Sequence, residues 1–209
     1  MTVTRRSSPV RLAPEERRRQ LLDVACVEFA ERGFYATAMD DLAQAAGVTK
    51  PVFYQHFSSK RALFIAVLEN VGERLLSVLV DATSSVETGR ARVEEGFTAY
   101  FRFVEGDRAA FRLLFGASAR NDAEFADVVD RVLERAAAAV STLIEIPGSP
   151  EHRLVLAHAI VGMAEGISRH ALTDPDGSHN PEQLAHWVAE LAWFGLRGVR
   201  AEEPISRLG

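Results

Sequence analysis

Lys50, Pro51, Tyr54, Gln55 and His56 stand within seven residues of one another and bring an ammonium, a phenol, an amide and an imidazole to one short stretch. Val48, Phe53 and Phe57 fall on what would be the inner face of a helix there, which leaves the polar set looking outward. Just ahead, Ala43 and Ala46 are small enough for two helices to lie close, and Gly47 supplies a tight turn between them. Two short helices joined by such a turn, here Asp40 to His56, make a helix-turn-helix. A glycine-turned helix pair occurs in many helical proteins, so this pattern alone is weak evidence of function.

Charge distribution adds a second signal. The net charge of −5 by itself argues against a nucleic-acid binder, but residues 1–62 carry 10 Lys+Arg against 7 Asp+Glu while the remainder carry 14 against 22. A basic head on an acidic body is expected where only the head meets phosphate. Arg5, Arg6, Arg11 and Arg17 to Arg19 form a basic arm suited to following a nucleic-acid backbone or entering a minor groove, or else a solvated tail. Lys50 and Lys60, the two lysines of the chain, flank the outward-looking segment.

The elements that must position these residues are helical; no alternating strand pattern lies between hairpin turns. Pro14, followed by Glu15 and Glu16, opens a first helix that Gly33 stops. A second runs from about Ala38 to Ala46 with Thr37 as its cap, and a third from about Lys50 to Phe57 with Thr49 as its cap. A longer helix opens at Ser58 or Ser59 and reaches about Ala82. Further helices are expected at roughly 89–105, 108–116, 123–146, 151–172 and 181–200, separated by Pro/Gly-rich turns, for about nine in all.

Read as a whole, Leu21 to Val71 resembles the head of the TetR family almost position by position. The carrying pieces are Phe29-x-x-x-Gly33-Phe34, Thr37, Leu42-Ala43, Ala46-Gly47-Val48-Thr49, Phe53-Tyr54-x-His56-Phe57 and Ser59-Lys60-x-x-Leu63. Phe53 stands where leucine is commoner, and Ala13 is a poor helix cap. The resemblance implies an all-α fold: a basic arm over residues 1–13, a three-helix DNA-binding domain over 14–60, and a ligand-binding and dimerisation domain over 61–209. It also implies a double-stranded DNA operator as partner, read by Thr37, Thr49, Lys50, Pro51, Val52, Tyr54, Gln55, His56 and Lys60. Lys50 suits guanine O6/N7, Gln55 adenine or phosphate, and Pro51 and Val52 a thymine methyl. Tyr54, His56 and Lys60 resemble phosphate clamps, which position the head without reading sequence.

Phenylalanines crowd the middle of the chain, with Phe97 and Phe101 four apart and Phe111 and Phe115 likewise. Such a stripe serves a core, or, as the resemblance suggests, a pocket lined by Phe97, Phe101, Phe111, Phe115, Phe125 and Val129. Few charges interrupt it, so the effector would be a small apolar molecule such as an acyl chain or hydrophobic drug, with Arg102, Arg108 or Arg112 near any polar head. Ala159, Gly162, Gly166, Ala185, Ala189 and Ala192, beside Trp187, Leu191 and Phe194, mark the last two helices for intramolecular packing or for the four-helix homodimer core that the family implies.

Other classes lack support. There is no Gly-x-Ser-x-Gly elbow, nucleotide-binding glycine loop or paired-carboxylate metal motif, so neither an enzyme nor a cofactor is expected. His152, His158, His170 and His179 with Asp174 and Asp176 lack metal-ligand spacing. Cys26 reads as a small buried residue. With no apolar run long enough to span a membrane and no secretory signal, the expected location is the cytoplasm, with no membrane partner.

Overall fold

A computed structural model describes residues 12–173 and 180–199. The chain divides into two compact units, Met1–Val67 and Leu68–Gly209. Among the described residues there is no strand; nine helices of seven residues or more are joined by one single-turn segment. Arg5, Arg6, Arg11, Asp174, Asp176 and His179 lie outside the described residues.

The first unit begins with α1 (Pro14–Ala36). The Ala13 N–H donates to the Glu16 carboxylate at 3.1 Å, so the weak cap is offset from inside the first turn. Gly33 does not end α1 as its position suggests; at φ 78°, ψ 163° it kinks the helix, which resumes for one turn. That backbone region is essentially restricted to glycine. Thr37 then finishes α1 rather than starting the next helix, its hydroxyl donating to the Gly33 carbonyl at 2.8 Å. Ala38 occupies the cap position of α2 (Met39–Ala45), and its N–H donates to the Asp41 carboxylate at 3.0 Å.

Gly47, at φ 63°, makes the left-handed turn into α3 (Lys50–His56). Behind these helices Leu21, Leu42, Phe53, Leu63 and Phe64 are fully buried. Phe64 meets Phe29 edge-on at 5.0 Å and Phe34 at 5.2 Å, the arrangement that ring quadrupoles favour. Val48, expected inside, is half-buried.

The helix α4 (Lys60–Ser84) runs on from Ser59, whose hydroxyl accepts from the Ala62 N–H. The second unit continues with α5 (Gly89–Gly106), α6 (Arg108–Phe115), the single turn α7 (Ala117–Arg120), α8 (Ala123–Ser141), α9 (Pro150–Thr173) and α10 (Pro181–Gly198). Thr88, Asp107, Asp122 and Asn180 cap α5, α6, α8 and α10 with side-chain oxygens. The eighth helix stops five residues short of the expected 146. Ser141 and Thr142 turn their hydroxyls onto the carbonyls of Ala138 and Ala139, both at 2.7 Å, and the chain leaves the helix so that Ile144 buries against Ala137 and Ala157. Within this unit α10 packs chiefly on α5, and α8 on α9.

Candidate nucleic-acid interface and interior cavity

The face of α3 follows from one anchored side chain. Phe53 is fully buried, so Pro51, Tyr54 and Gln55 are turned outward, with Tyr54 47% exposed. Thr49 is exposed at the N-cap and its side chain makes no capping bond. Val52 and His56 are half-buried. Lys50 pairs with Asp40 of α2 at 3.1 Å, an exposed ion pair that another anion would readily replace. Behind α3, the Arg18 guanidinium lies 5.0 Å from the centre of the Phe57 ring. Lys50, Pro51, Tyr54, Gln55 and Thr49 therefore share one accessible surface of the first unit.

Two residues of the expected set are placed otherwise. Thr37 is 1% exposed and faces the kink in α1, so it has no surface with which to touch a duplex. Lys60 donates to the carbonyl oxygens of Phe34 and Thr37 at 2.8 and 2.9 Å, with its ammonium 4.5 Å from the centre of the Phe34 ring. It ties the end of α1 to the start of α4 and keeps one N–H for anything else.

The second unit holds a cavity of about 770 Å³, within the usual size range of small-molecule sites. Of the residues named for a pocket, Phe97, Phe115 and Val129 line it. Phe101, Phe111 and Phe125 do not. They are buried in the core behind it: Phe101 packs on Phe97 and edge-on to Tyr100, and Phe111 on Phe115 at 4.7 Å. Rings four apart share a helix face but lie one turn apart along it, and here one ring of each pair reaches the hollow while the other packs behind it. The remaining wall comes from Leu75, Leu79 and Val80 of α4, Val132 of α8, Ile160 of α9 and Trp193 of α10. Sequence reasoning also named Val132 and Leu133 and set the far end of α4 beside the pocket; it missed the walls from α9 and α10, Ile160 and Trp193, whose convergence depends on packing.

Charge at the cavity is largely compensated. Arg92, rather than the expected Arg102, Arg108 or Arg112, lies on its wall, donating to the carbonyls of Val86 and Glu87 and pairing with Glu145 at 2.5 Å. Arg102 instead pairs with Glu182 at the surface. Glu165 is held by Arg120 and Arg169. Tyr100 borders the cavity with its hydroxyl buried near that of Ser168; burial pushes the phenol up to about 12, and the Ser168 hydroxyl opposes the shift only in part. Such a hollow excludes uncompensated charge and accepts chains of methylenes.

The last two helices present a further surface. Trp187, Leu191 and Phe194 of α10 are 50, 64 and 62% exposed, and Leu154 and Val155 of α9 are exposed too. Ala159, Gly162 and Gly166 are exposed on α9, and nothing lies near the positions a side chain on either glycine would take. Ala185, Ala189 and Ala192, grouped with them by sequence, point the other way and are buried in the packing of α10 on α5.

Comparison with known proteins bears on both units. The profile of the "Bacterial regulatory proteins, tetR family" matches residues 21–67, and that of the "Tetracyclin repressor-like, C-terminal domain" matches residues 90–195. The HTH-type transcriptional activator FasR of Mycolicibacterium smegmatis is 35% identical over 199 residues, covering 94% of this chain and 89% of the relative. A TetR-like transcriptional regulator from Rhodococcus sp. RHA1 superposes with a TM-score of 0.73 at 27% identity, covering 90% of this chain and all of that one. The regulator FadR of Bacillus subtilis, solved in complex with stearoyl-CoA, superposes with a TM-score of 0.73 at 15% identity, covering 87% of this chain and 99% of the other.

Proposed function

The chain belongs to the TetR family of bacterial transcriptional regulators, and from that premise we propose a homodimer that reads a palindromic operator and is controlled by an acyl-chain effector. The observation that carries the reading is the division of α3: Phe53 locks the helix to its core while Lys50, Pro51, Tyr54 and Gln55 are left for base edges and phosphates. Thr49, Val52 and His56 border that face. Lys60 contributes its remaining N–H to phosphate and otherwise holds α1 in place. Thr37 takes no part in contact.

The cavity supports an apolar effector. Phe97, Phe115, Val129 and the aliphatic wall suit a long acyl chain, and stearoyl-CoA, the ligand of the solved Bacillus subtilis relative, is the natural first probe. Control requires that the effector bind the DNA-competent and incompetent states with different affinity, typically by about 1–3 kcal/mol. Repression is the sign we adopt, since a dimer seated over a promoter excludes polymerase. The exposed apolar faces of α9 and α10 support the homodimer, because a monomer rarely leaves such large side chains together in water. We assign the protein to the cytoplasm with no enzymatic role.

Selection from random-sequence duplexes tests the core of this reading. An inverted repeat, with half-sites about one helical turn apart, is the expected product, and stearoyl-CoA should shift the affinity for it. Enrichment of no motif sinks the proposal. A promoter–reporter assay that shows increased transcription on binding overturns the repressor assignment alone.

A further inference from the structure

Four charged residues line the cavity, Arg92, Glu145, Glu165 and Arg197, and they fall in two places. Arg92 of α5 pairs with Glu145, just past the end of α8, while Glu165 of α9 is held by Arg120, just ahead of its start. The 19 residues of α8, about 28 Å of helix, lie between the two pairs along the chain. Arg197 of α10 belongs with the first place. Trp193, one turn before it, abuts α5 at Gly89, where a Cβ would fall 3.3 Å from the ring, and Arg92 follows Gly89 by three residues. The Arg197 guanidinium lies 5.7 Å from the centre of the same ring.

The two places differ in sign. At Glu165 the wall itself carries a carboxylate, and the arginines that hold it, Arg120 and Arg169, are not part of the wall. At Arg92 two guanidiniums stand against the single carboxylate of Glu145. Arg92 commits three N–H groups to Glu145 and to the carbonyls of Val86 and Glu87. Arg197 commits none: among the described residues its partner is the Trp193 ring, and a contact through a ring face consumes no N–H donor. It is exposed and still lines the cavity, so the hollow reaches water there and a charge can sit at the rim without the cost of full burial. We propose that the cavity takes its acyl effector in one direction, with an anionic head, carboxylate or phosphate, on Arg197 beside Arg92 and the tail running inward past Phe97 and Phe115. A guanidinium fork matches two oxygens of either group, and the Glu165 carboxylate repels the same head from the other place. This rests on the acyl-effector reading above and adds the head-group seat and the orientation.

Equilibrium dialysis of the full-length protein against radiolabelled stearate, stearoyl-CoA and uncharged octadecanol tests the seat. Arg197→Gln should weaken binding of the anionic ligands by about tenfold or more, the scale of a hydrogen bond to a charged group, and leave octadecanol within about twofold. Arg197→Lys, which keeps the charge and loses the fork, should restore part of the loss. Glu145→Gln removes the competing carboxylate, whose side chain is 69% exposed, and should tighten anion binding by about two- to fivefold, as for an exposed charge interaction. A loss seen with stearate seats the carboxylate, and a loss seen with stearoyl-CoA alone seats its phosphates; either supports the proposal. Equal losses for octadecanol and the anions, or anion binding that Arg197→Gln leaves unaltered, overturn it. Should Arg197→Gln fail to fold, unaltered anion binding by Glu145→Gln overturns it instead. A wild type that binds octadecanol but neither anion overturns this inference and leaves the apolar cavity standing, whereas no binding of any of the three overturns the effector reading and this inference with it.

Discussion

Lys60 and Lys50 look alike in the sequence and differ in the structure. Two of the three Lys60 N–H groups go to backbone carbonyls of residues 23 and 26 positions earlier, while Lys50 is tied by one exposed carboxylate. Lys60→Ala should therefore lower the thermal stability of the head, by about 1–3 kcal/mol for unpaired carbonyls, and flatten the salt dependence of DNA binding by roughly one unit of slope. An unchanged slope with lowered stability would assign Lys60 to architecture alone. Lys50→Ala should leave stability nearly unaltered and relax preference at one or two base positions, at about 1–3 kcal/mol on the best site; uniform loss across all sequences would contradict the proposed role as a reader. The outward set on α3 was legible because a helix-turn-helix is local. The burial of Thr37 was not, since it depends on a kink four residues earlier. Nor was the buried Tyr100 hydroxyl. Its raised pKa favours the neutral phenol in the folded state, so its contribution is complete below pH 10 and lost as pH climbs toward about 12. Tyr100→Phe should keep or slightly raise stability at pH 7 and remove that part of the alkaline decline; denaturation curves at pH 7 and pH 11 compare the two directly.

At the scale of elements, capping and punctuation told more than composition. Pro14 and the starts expected at 89, 108, 123 and 181 fall where the sequence placed them, with Thr88, Asp107, Asp122 and Asn180 supplying caps it had not named, because the bond between a cap and the first turn is set within three residues. Helix ends were harder. Gly33 reads as a stop, yet the chain regains helical geometry for another turn because Phe34 buries against Phe64 and Thr37 and Lys60 satisfy the freed carbonyls. Replacing Gly33 with alanine would force a side chain into a backbone region that costs about 1–3 kcal/mol. The expected result is a matching loss in chemical denaturation of the head and weaker operator binding that low temperature partly restores. Unchanged stability would mean that the kink straightens without consequence. The tenth helix shows the limit of reading small residues as a class: its alanines and its large apolar residues lie on opposite faces, and only three-dimensional packing reveals that the alanines serve α5.

At the scale of the molecule, the acidic body and basic head were legible as charge and the fold class as periodicity, whereas the cavity was legible only in part, through Phe97, Phe115 and Val129, because it is bounded by residues from six helices. The second unresolved question in the sequence was whether the last two helices pack inward or join two copies. They do the first through Ala185, Ala189 and Ala192, and the proposed dimer uses the opposite face, Trp187, Leu191 and Phe194. Three exposed large side chains on one helix, beside glycines on α9 with open space before them, would be a liability in a lone chain: the apolar area favours association and each helical glycine costs about 1 kcal/mol. In the proposed dimer a second copy would cover the apolar area and let the helices approach closely at the glycines. Such pairing would also link two DNA-binding heads, so that the second half-site is bound at high effective concentration. Leu191→Glu places a charge in the middle of that face and should yield a folded monomer by sedimentation, with unaltered helical content by circular dichroism. Its affinity for the selected inverted repeat should fall by about 100-fold or more, in the range over which avidity acts, while weak, salt-sensitive binding to any duplex persists. A variant that stays dimeric would move the interface elsewhere, and a monomer that keeps full operator affinity would show that one head suffices.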